Sequence, residues 1–255
     1  MNTYKREDEY IPLSKSDHDA FDRDGFLIIS HSEILSFKND LLERLLSVAL
    51  CIVNKYPEGK TFLKEQQISD LIDLMDGVHR VEKGNRITRA IFELFASSCE
   101  LFGAMDHPVV LSLCRQLGIE VPIVWTAPAI RVDRPGEGRF LSPAHQDIGS
   151  SYLSPNGLVF WLPLGRLTPE TGGIYGLPGS HKDGLRPIVR NKDGYWPQRL
   201  TDEPSLDQMT ELMLDNDECL VFGPYFIHRS AENRSTANLR LTLQLRVNDV
   251  ATLPE

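Results

Sequence analysis

The 255-residue sequence contains no long apolar run. A membrane-spanning helix needs roughly 18 or more consecutive apolar residues, and no segment approaches that length. The opening MNTYKREDEY carries acidic side chains where a secretory leader needs a basic start followed by an apolar stretch. We therefore expect a cytoplasmic protein that does not associate with membranes.

Cysteine is sparse, and basic charge is not in surplus. The four cysteines, Cys51, Cys99, Cys114 and Cys219, are widely spaced in apolar surroundings and form no CxxC pair. We expect buried free thiols rather than disulfides or metal ligands. A net charge of -9 argues against nucleic-acid binding, which normally needs a basic face. With 41% hydrophobic and 25% charged residues, the composition excludes a disordered or fibrous chain.

The length suits a single domain over residues 1–255, with a mostly helical flank at 1–120. Apolar residues recur at helical spacing between Leu41 and Val53 and again between Ile87 and Phe102. Helix breakers interrupt this pattern at Tyr56-Pro57-Glu58-Gly59 and at Lys83-Gly84-Asn85. The other predicted elements of the flank are a strand at Phe26 to Ile29, entered from the Asp24-Gly25 turn, and a short helix near Asp106 to Leu117.

Residues 121–250 are predicted to form the β core. Short strand-like runs alternate there with turn residues, which favours an antiparallel sandwich or barrel. The predicted strands are Ile123 to Val132, Gly157 to Leu164, Gly173 to Leu177, Cys219 to Phe222 and Leu239 to Val247. The apolar stripes of the helical flank would then pack against the outside of this core. A polar, irregular stretch at about 182–213 is predicted to be an insert.

The last predicted strand has two different faces. Leu239, Leu241, Leu243, Leu245 and Val247 alternate with polar residues, with the period of a β-strand. The leucines either face a core while the polar row faces water, or they pack under the helices while Arg240 points into a polar cavity. The alternation alone leaves both arrangements open.

A possible metal site is the most informative motif. His145 and Asp147 project from the same side of an extended segment, and His228 offers a third ligand from farther along the chain. Two imidazoles and one carboxylate form the facial triad of non-haem Fe(II) oxygenases. His-x-Asp alone is a weak signal, since a single histidine is more often a hydrogen-bonded structural residue. The turn-rich segments on both sides nevertheless place these residues where sites are usually built.

Several further motifs accompany this triad in order. They are Phe21-Asp22-Arg23-Asp24-Gly25-Phe26, Pro143-Ala144-His145-Gln146-Asp147, Trp161-Leu162-Pro163-Leu164, Thr168-Pro169-Glu170-Thr171-Gly172-Gly173, Leu177-Pro178-Gly179-Ser180-His181, His228-Arg229-Ser230 and Asn233-Arg234-Ser235. Together they resemble the phytanoyl-CoA dioxygenase family of iron- and 2-oxoglutarate-dependent oxygenases. The resemblance covers most of the chain, and the ordered combination is more specific than any one motif.

The resemblance implies a mainly β fold with flanking α-helices, in which a double-stranded β-helix forms a cupin-like jelly roll. It implies that His145, Asp147 and His228 bind Fe(II). It also implies that Asp147 favours hydroxylation, because related halogenases have a small residue at that position.

The resemblance further implies that Arg240 binds the distal carboxylate of 2-oxoglutarate, helped by Ser230 and Trp161. A guanidinium pairs bidentately with a carboxylate, which makes an arginine suitable for this role. Arg240 lies one residue farther from His228 than the family usually places it, so Arg246 and Arg234 remain alternatives. Arg131, on the strand before the metal motif, is a further candidate for contacting cosubstrate or substrate, although a solvent-facing position explains it equally well.

The expected function is oxidation, chiefly hydroxylation, of an aliphatic C-H bond of a small molecule, with Fe(II), 2-oxoglutarate and O2, in secondary or specialised metabolism. Two alternatives stay open: a non-catalytic jelly-roll binding protein, and a cupin-type Zn or Mn hydrolase or isomerase. The insert, with Arg186, Arg190 and Arg199, is predicted to be a lid or specificity element for a polar or anionic substrate. The sequence leaves the substrate and the oligomeric state undefined.

Overall fold

A six-stranded sheet, covered on one face by helices, organises the structure. The structure is a computed structural model that describes residues 10–124, 128–138, 141–149, 154–190 and 198–253. The helices in these ranges are α1 (Lys15–Asp24), α2 (Ser32–Val53), α3 (Pro57–Glu65), α4 (Leu71–Val81), α5 (Arg86–Phe95), α6 (Cys99–Gly103) and α7 (Pro108–Gln116). The strands are β1 (Phe26–Ser30), β2 (Pro122–Val124), β3 (Ala129–Asp133), β4 (Gly157–Pro163), β5 (Ile174–Gly176), β6 (Ile188–Arg190), β7 (Gln198–Leu200), β8 (Thr210–Leu212), β9 (Glu218–Phe222), β10 (His228–Ser230) and β11 (Arg240–Asp249).

The strands form two packed sheets and one hairpin. The large sheet has the order β1-β9-β4-β11-β2, and β3 also pairs with β11. The smaller sheet has the order β10-β5-β8, and β6 pairs with β7. All these pairings are antiparallel. A buried apolar cluster joins the two sheets, with Val159 and Phe222 from the large sheet against Ile174 and Leu212 from the small one. The result is a β-sandwich whose strands are far apart in the sequence.

Helix α2 packs along the core because its apolar residues follow helical spacing. Ile34, Phe37, Leu41, Leu45 and Ala49 are all buried on one side of the helix. The ring nitrogen Nδ1 of His31, the N-cap residue, accepts a hydrogen bond from the Glu33 backbone N–H. The helical flank therefore covers the outer face of the large sheet.

Strand β11 separates two environments. Leu241, Leu243 and Leu245 belong to the apolar core shared with the helices. The alternate residues Arg240, Thr242, Gln244 and Arg246 line a cavity. Of the two arrangements that the alternation left open, the structure therefore has the leucines under the helices and the polar row inside.

Several local predictions for the helical flank were wrong. The Tyr56-Pro57 segment ends α2 but also begins α3, with Pro57 at the first helical position, where its missing N–H breaks no helical bond. Helices α3 and α4 were not predicted. The helical run ending at Phe102 is broken after Phe95, and Phe102 is 45% exposed rather than buried.

Other predictions changed in detail. Cys51 and Cys99 are exposed free thiols, whereas Cys114 and Cys219 are buried as expected. The predicted strand from Ile123 to Val132 corresponds to β2 and β3, with residues 125–127 between them outside the described part of the chain. Among the described residues, no helix combines the length and the hydropathy needed to cross a membrane.

Gly25 allows the turn between α1 and β1. Its backbone has φ +81°, in the left-handed region that glycine adopts without strain, and its N–H bonds to the Phe21 carbonyl. A Cβ at this position would overlap the ring of His181. His181 thus packs within the scaffold, against this turn.

Candidate metal centre and cavity

A single pair of backbone hydrogen bonds brings the two predicted histidine ligands together. The N–H of His145 donates to the carbonyl of His228 at 3.0 Å, and the N–H of His228 donates back at 3.1 Å. This isolated antiparallel bridge joins the loop carrying His145 to β10. The two imidazole rings lie side by side, with centroids 4.3 Å apart.

Local carbonyls orient both rings. Nδ1 of His145 lies 2.9 Å from the carbonyl oxygen of Pro143, and Nδ1 of His228 lies 3.1 Å from that of Phe226. A carbonyl oxygen only accepts, so each Nδ1 carries the proton and each Nε2 is left as the ligand atom. The tautomer required of a metal-binding histidine is therefore set by the backbone two residues earlier.

Asp147 completes the cluster at the start of a short 3-10 turn, Asp147–Gly149. Its Oδ1 lies 3.4 Å from Nε2 of His145, near the ~3 Å spacing of adjacent ligands around an ion with bonds of ~2.1 Å. Its Oδ2 accepts a hydrogen bond from Nε of Arg246 at 3.1 Å. One ligand atom from each of His145, Asp147 and His228 lies within 4.8 Å of the others. The three residues could hold one metal ion, and this donor set suits Fe(II).

The electrostatics favour the protonation states that bind metal. Burial raises the pKa of Asp147, but the Arg246 guanidinium and the adjacent His145 outweigh it and hold the pKa well below its usual range. Burial lowers the pKa of His228 to about 3, and the neighbouring His145 acts in the same direction. Near neutral pH the cluster thus offers a carboxylate and a neutral imidazole.

The cluster opens into a cavity of about 300 Å³. The polar face of β11 forms one wall, and Trp161 of β4, which pairs in register with Gln244, lines the same space. The hydroxyl of Ser230 lies 2.8 Å from that of Ser142, and both serines face the cavity. The structure therefore places every predicted site residue around one cavity: His145, Asp147, His228, Arg240, Ser230, Trp161 and Arg131.

Arg240 is buried at the cavity wall, and each of its three guanidinium nitrogens has a hydrogen-bond partner. Its Nε donates to Oδ2 of Asp133 at 3.2 Å, and its Nη2 lies 2.9 Å from the same oxygen. Nη1 donates to the carbonyls of Thr171 and Gly173, and Nη2 also donates to the carbonyl of Ala231. A guanidinium has five N–H donors and four of these are bonded, so a carboxylate that binds through two of them must displace at least one of these acceptors. That Arg240 binds a cosubstrate carboxylate stays a prediction, and Asp133 is a competitor that the sequence analysis missed.

Asp133 also bridges to Arg131. The second oxygen, Oδ1, accepts a hydrogen bond from Nε of Arg131 at 2.8 Å, so one carboxylate lies between two guanidiniums. Thr242, opposite Arg131 in the register, is buried, and its hydroxyl has no hydrogen-bond partner in the described part of the chain. An unpartnered buried hydroxyl at a cavity wall fits a polar ligand. Strand alternation could have found Asp133 and Thr242, because they share a face with Arg131 and Arg240.

Arg246 and Arg234, the other two arginines considered for cosubstrate binding, have different surroundings from Arg240. Arg246 pairs with Asp147, as described, and its Nη2 donates to the side chain of Gln244 at 2.7 Å. Arg234 is exposed, as expected for a turn residue. Arg131, by contrast, faces the cavity rather than solvent.

The insert at 182–213 is attached to the metal motif on both sides. Gln146, between two predicted ligands, donates to the Gly184 carbonyl at 2.8 Å and accepts from the Arg186 backbone N–H at 2.8 Å. The carboxylate of Glu203 accepts from the backbone N–H of Ala144 at 3.1 Å. Between these anchors the β6–β7 hairpin brings Ile188 and Arg199 to the cavity. Arg190 was singled out in the same insert, but its side chain lies outside the described part.

Comparison with known proteins identifies the family. The phytanoyl-CoA dioxygenase (PhyH) family matches residues 21–241. The chain belongs to the phytanoyl-CoA dioxygenase family, as its motifs predicted.

Two curated relatives illustrate the range of that family. Phytanoyl-CoA dioxygenase domain-containing protein 1 of Danio rerio is 33% identical over 54% of this chain and 50% of its own length. The 1-deoxypentalenic acid 11-beta-hydroxylase of Streptomyces arenae is 26% identical over 58% of this chain and 56% of its own length. The chain thus matches about half the length of each.

Solved structures confirm the predicted jelly-roll fold class. EctD from S. alaskensis with bound Fe has a TM-score of 0.58 at 17% identity, covering 99% of this chain and 83% of that protein. EvdO2 from Micromonospora carbonacea var. aurantiaca, complexed with 2-oxoglutarate, has a TM-score of 0.56 at 15% identity, covering 95% of each chain. At these identities the likeness concerns the fold.

Proposed function

We propose that this protein is an Fe(II)- and 2-oxoglutarate-dependent dioxygenase that acts on a small molecule. The observation that carries the proposal is the buried cluster of His145, Asp147 and His228, whose ligand atoms meet at the wall of a polar cavity. Membership of the phytanoyl-CoA dioxygenase family supports the same activity. Bound iron would supply O2 activation coupled to the decarboxylation of 2-oxoglutarate to succinate and CO2.

In this proposal one end of the cavity binds iron and the other end binds 2-oxoglutarate. His145, Asp147 and His228 hold the iron, and Arg246 keeps Oδ2 of Asp147 occupied so that Oδ1 faces the metal. The distal carboxylate of 2-oxoglutarate binds at Arg240 and Arg131, replacing part of the contact that Asp133 makes with them.

Three further residues would complete the cosubstrate site. The hydroxyls of Thr242 and Ser230 both line the cavity and would offer hydrogen bonds to a bound carboxylate, while Trp161 would shield the space. Burial of this site strengthens each charged hydrogen bond relative to water.

Hydroxylation of an aliphatic C-H bond is the outcome we propose. The carboxylate of Asp147 would hold the metal where a halide would otherwise bind, and a relative in Streptomyces is a hydroxylase. A cavity of about 300 Å³ lies at the lower end of the range for small-molecule sites. We further propose a role in specialised metabolism.

The proposal is tested by cosubstrate binding and turnover. Purified protein loaded anaerobically with Fe(II) is titrated with 2-oxoglutarate by calorimetry, and succinate is then measured after air is admitted, with and without candidate substrates. We expect saturable 2-oxoglutarate binding that depends on the metal, followed by succinate formation. The matched control is Asp147→Ala, which should abolish both signals. Metal binding without any binding of 2-oxoglutarate would favour the hydrolase or isomerase alternative, and binding without succinate would favour a non-catalytic protein.

A further inference from the structure

The cavity carries a surplus of positive charge. Among the described residues, four arginines and two aspartates line it: Arg131, Arg199, Arg240, Arg246, Asp133 and Asp147. The proposed ferrous ion and the 2-oxoglutarate dianion carry equal and opposite charges, so filling both sites leaves an excess of two positive charges. A partly enclosed cavity with such an excess attracts a further anion.

Arg199 differs from the other three arginines. Arg131 and Arg240 pair with Asp133, and Arg246 pairs with Asp147. Within the described ranges, the side chain of Arg199 makes neither an ion pair nor a hydrogen bond, and the residue is exposed and lines the cavity. The unbalanced charge is therefore concentrated on the β6–β7 hairpin, at the opening rather than at the metal.

The hairpin is held near the metal cluster by buried contacts. Gln146, only 6% exposed, ties residues 184 and 186 to the segment between His145 and Asp147. Glu203 ties the other end of the insert to Ala144. Ile188, on the strand paired with that of Arg199, also lines the cavity. One element thus offers an apolar side chain and an unpaired cation to the same space.

We infer that the substrate is a small aliphatic anion, a carboxylate or a phosphate monoester, whose charged group binds Arg199 while its aliphatic part passes Ile188 toward the metal cluster. The planar guanidinium fork accepts either anion with paired hydrogen bonds. The inference rests on the proposed function, since it presupposes that iron and 2-oxoglutarate fill the inner cavity. Arg199 is then a substrate-binding residue that selects by charge.

The test compares anions with neutral analogues of the same length. Protein loaded with Mn(II) and saturated with 2-oxoglutarate, without oxygen, is titrated by calorimetry with hexanoate and hexanamide, and with hexyl phosphate and 1-hexanol. We expect at least one anion to bind about tenfold more tightly than its neutral analogue. The two anions distinguish a carboxylate site from a phosphate site.

Arg199→Gln should bring the ratio of anion affinity to neutral-analogue affinity close to one, while leaving 2-oxoglutarate affinity unchanged. Arg186→Gln is the matched control, because Arg186 lies in the same insert but pairs with Asp183 and does not line the cavity. It should keep the ratio of the unaltered protein.

Three outcomes would overturn the inference while leaving the proposed function intact. The first is that neither anion exceeds its neutral analogue, and the second is that the ratio survives Arg199→Gln. The third is that Arg199→Gln weakens 2-oxoglutarate as much as the anion, which would make Arg199 a cosubstrate residue. Failure of the Mn(II)-loaded protein to bind 2-oxoglutarate would instead reject the proposed function, and this inference with it.

Discussion

Two arginine–aspartate pairs on the same face of β11 occupy opposite ends of one cavity and differ in what they leave available. Arg246 bonds to one oxygen of Asp147, and the other oxygen faces His145 and the predicted metal position. Arg240 instead has all three guanidinium nitrogens hydrogen-bonded, to Asp133 and to three carbonyls. The first pair presents a carboxylate oxygen to a cation. In the second pair the Arg240 donors bonded to Asp133 become available only when an incoming anion replaces that carboxylate.

Burial makes both pairs costly to break. The side chains of Asp147, Asp133 and Arg240 are 2%, 6% and 2% exposed, respectively. Removing one member of a buried pair leaves an uncompensated charge, typically at a cost of about 3–5 kcal/mol. Binding and stability must therefore be measured together on each variant.

The largest effect is expected at the metal end, from Asp147→Ala. Loss of the carboxylate removes one of three predicted ligands, so Mn(II) affinity measured by calorimetry should fall by at least about a hundredfold, and succinate formation should cease. Asp183→Ala, an exposed acid paired with Arg186, is a suitable control. Unchanged metal affinity in Asp147→Ala would remove this residue from the ligand set.

At the other end, Arg240→Gln should weaken 2-oxoglutarate by about thirtyfold or more, since charged hydrogen bonds contribute roughly 1.5–3 kcal/mol each. Metal affinity should be preserved, while denaturant unfolding should show a loss of up to about 3–5 kcal/mol, because Asp133 keeps only Arg131 as a charged partner. An equal loss of 2-oxoglutarate affinity in Arg246→Gln would mean that the register of the predicted site is wrong.

Arg246→Gln should show the opposite selectivity. We expect Mn(II) affinity to fall by about tenfold to a hundredfold, because partners of a metal ligand fix its orientation. The Kd for 2-oxoglutarate, measured at saturating metal, should change less than the Kd for the metal. If the cosubstrate alone were affected, Arg246 would bind 2-oxoglutarate directly rather than position Asp147.

The smallest effect, and the one with reversed sign, is expected from Asp133→Asn. Removing the competing charge should tighten 2-oxoglutarate binding by about threefold to tenfold, somewhat less than one charged hydrogen bond contributes, while stability falls. Calorimetry and denaturant unfolding of the same sample separate the two effects. Weaker 2-oxoglutarate binding would show that Asp133 chiefly orients Arg240.

Some of this comparison could be predicted from the sequence. The strict alternation along β11 defined both of its faces, and the ordered motifs identified the family, the fold class and the His145, Asp147 and His228 cluster. Local periodicity succeeded there because a strand has only two faces. Whether Arg240 faces the cavity or solvent could be decided only from the packing of the rest of the core.

What could not be predicted depends on contacts between distant segments. Nothing local to Arg240 indicates that Asp133 and the carbonyl of Thr171 use its donors, because those partners come from other strands and loops. The exposure of Phe102 likewise reflects the interruption of the helix between α5 and α6, where Ser98 caps α6, and hydrophobic spacing did not indicate it. Contacts between residues far apart in the sequence, more than local conformational preferences, limited what could be predicted.

The backbone bridge between His145 and His228 also gives the predicted metal a role in folding. The two residues come from widely separated parts of the chain, and two backbone hydrogen bonds join them directly. An ion bound to both side chains would act as a removable cross-link that closes a long loop. The free energy of metal binding would then offset the entropy lost on closing that loop. The resistance of the β core to unfolding should then rise with the concentration of free metal, by mass action.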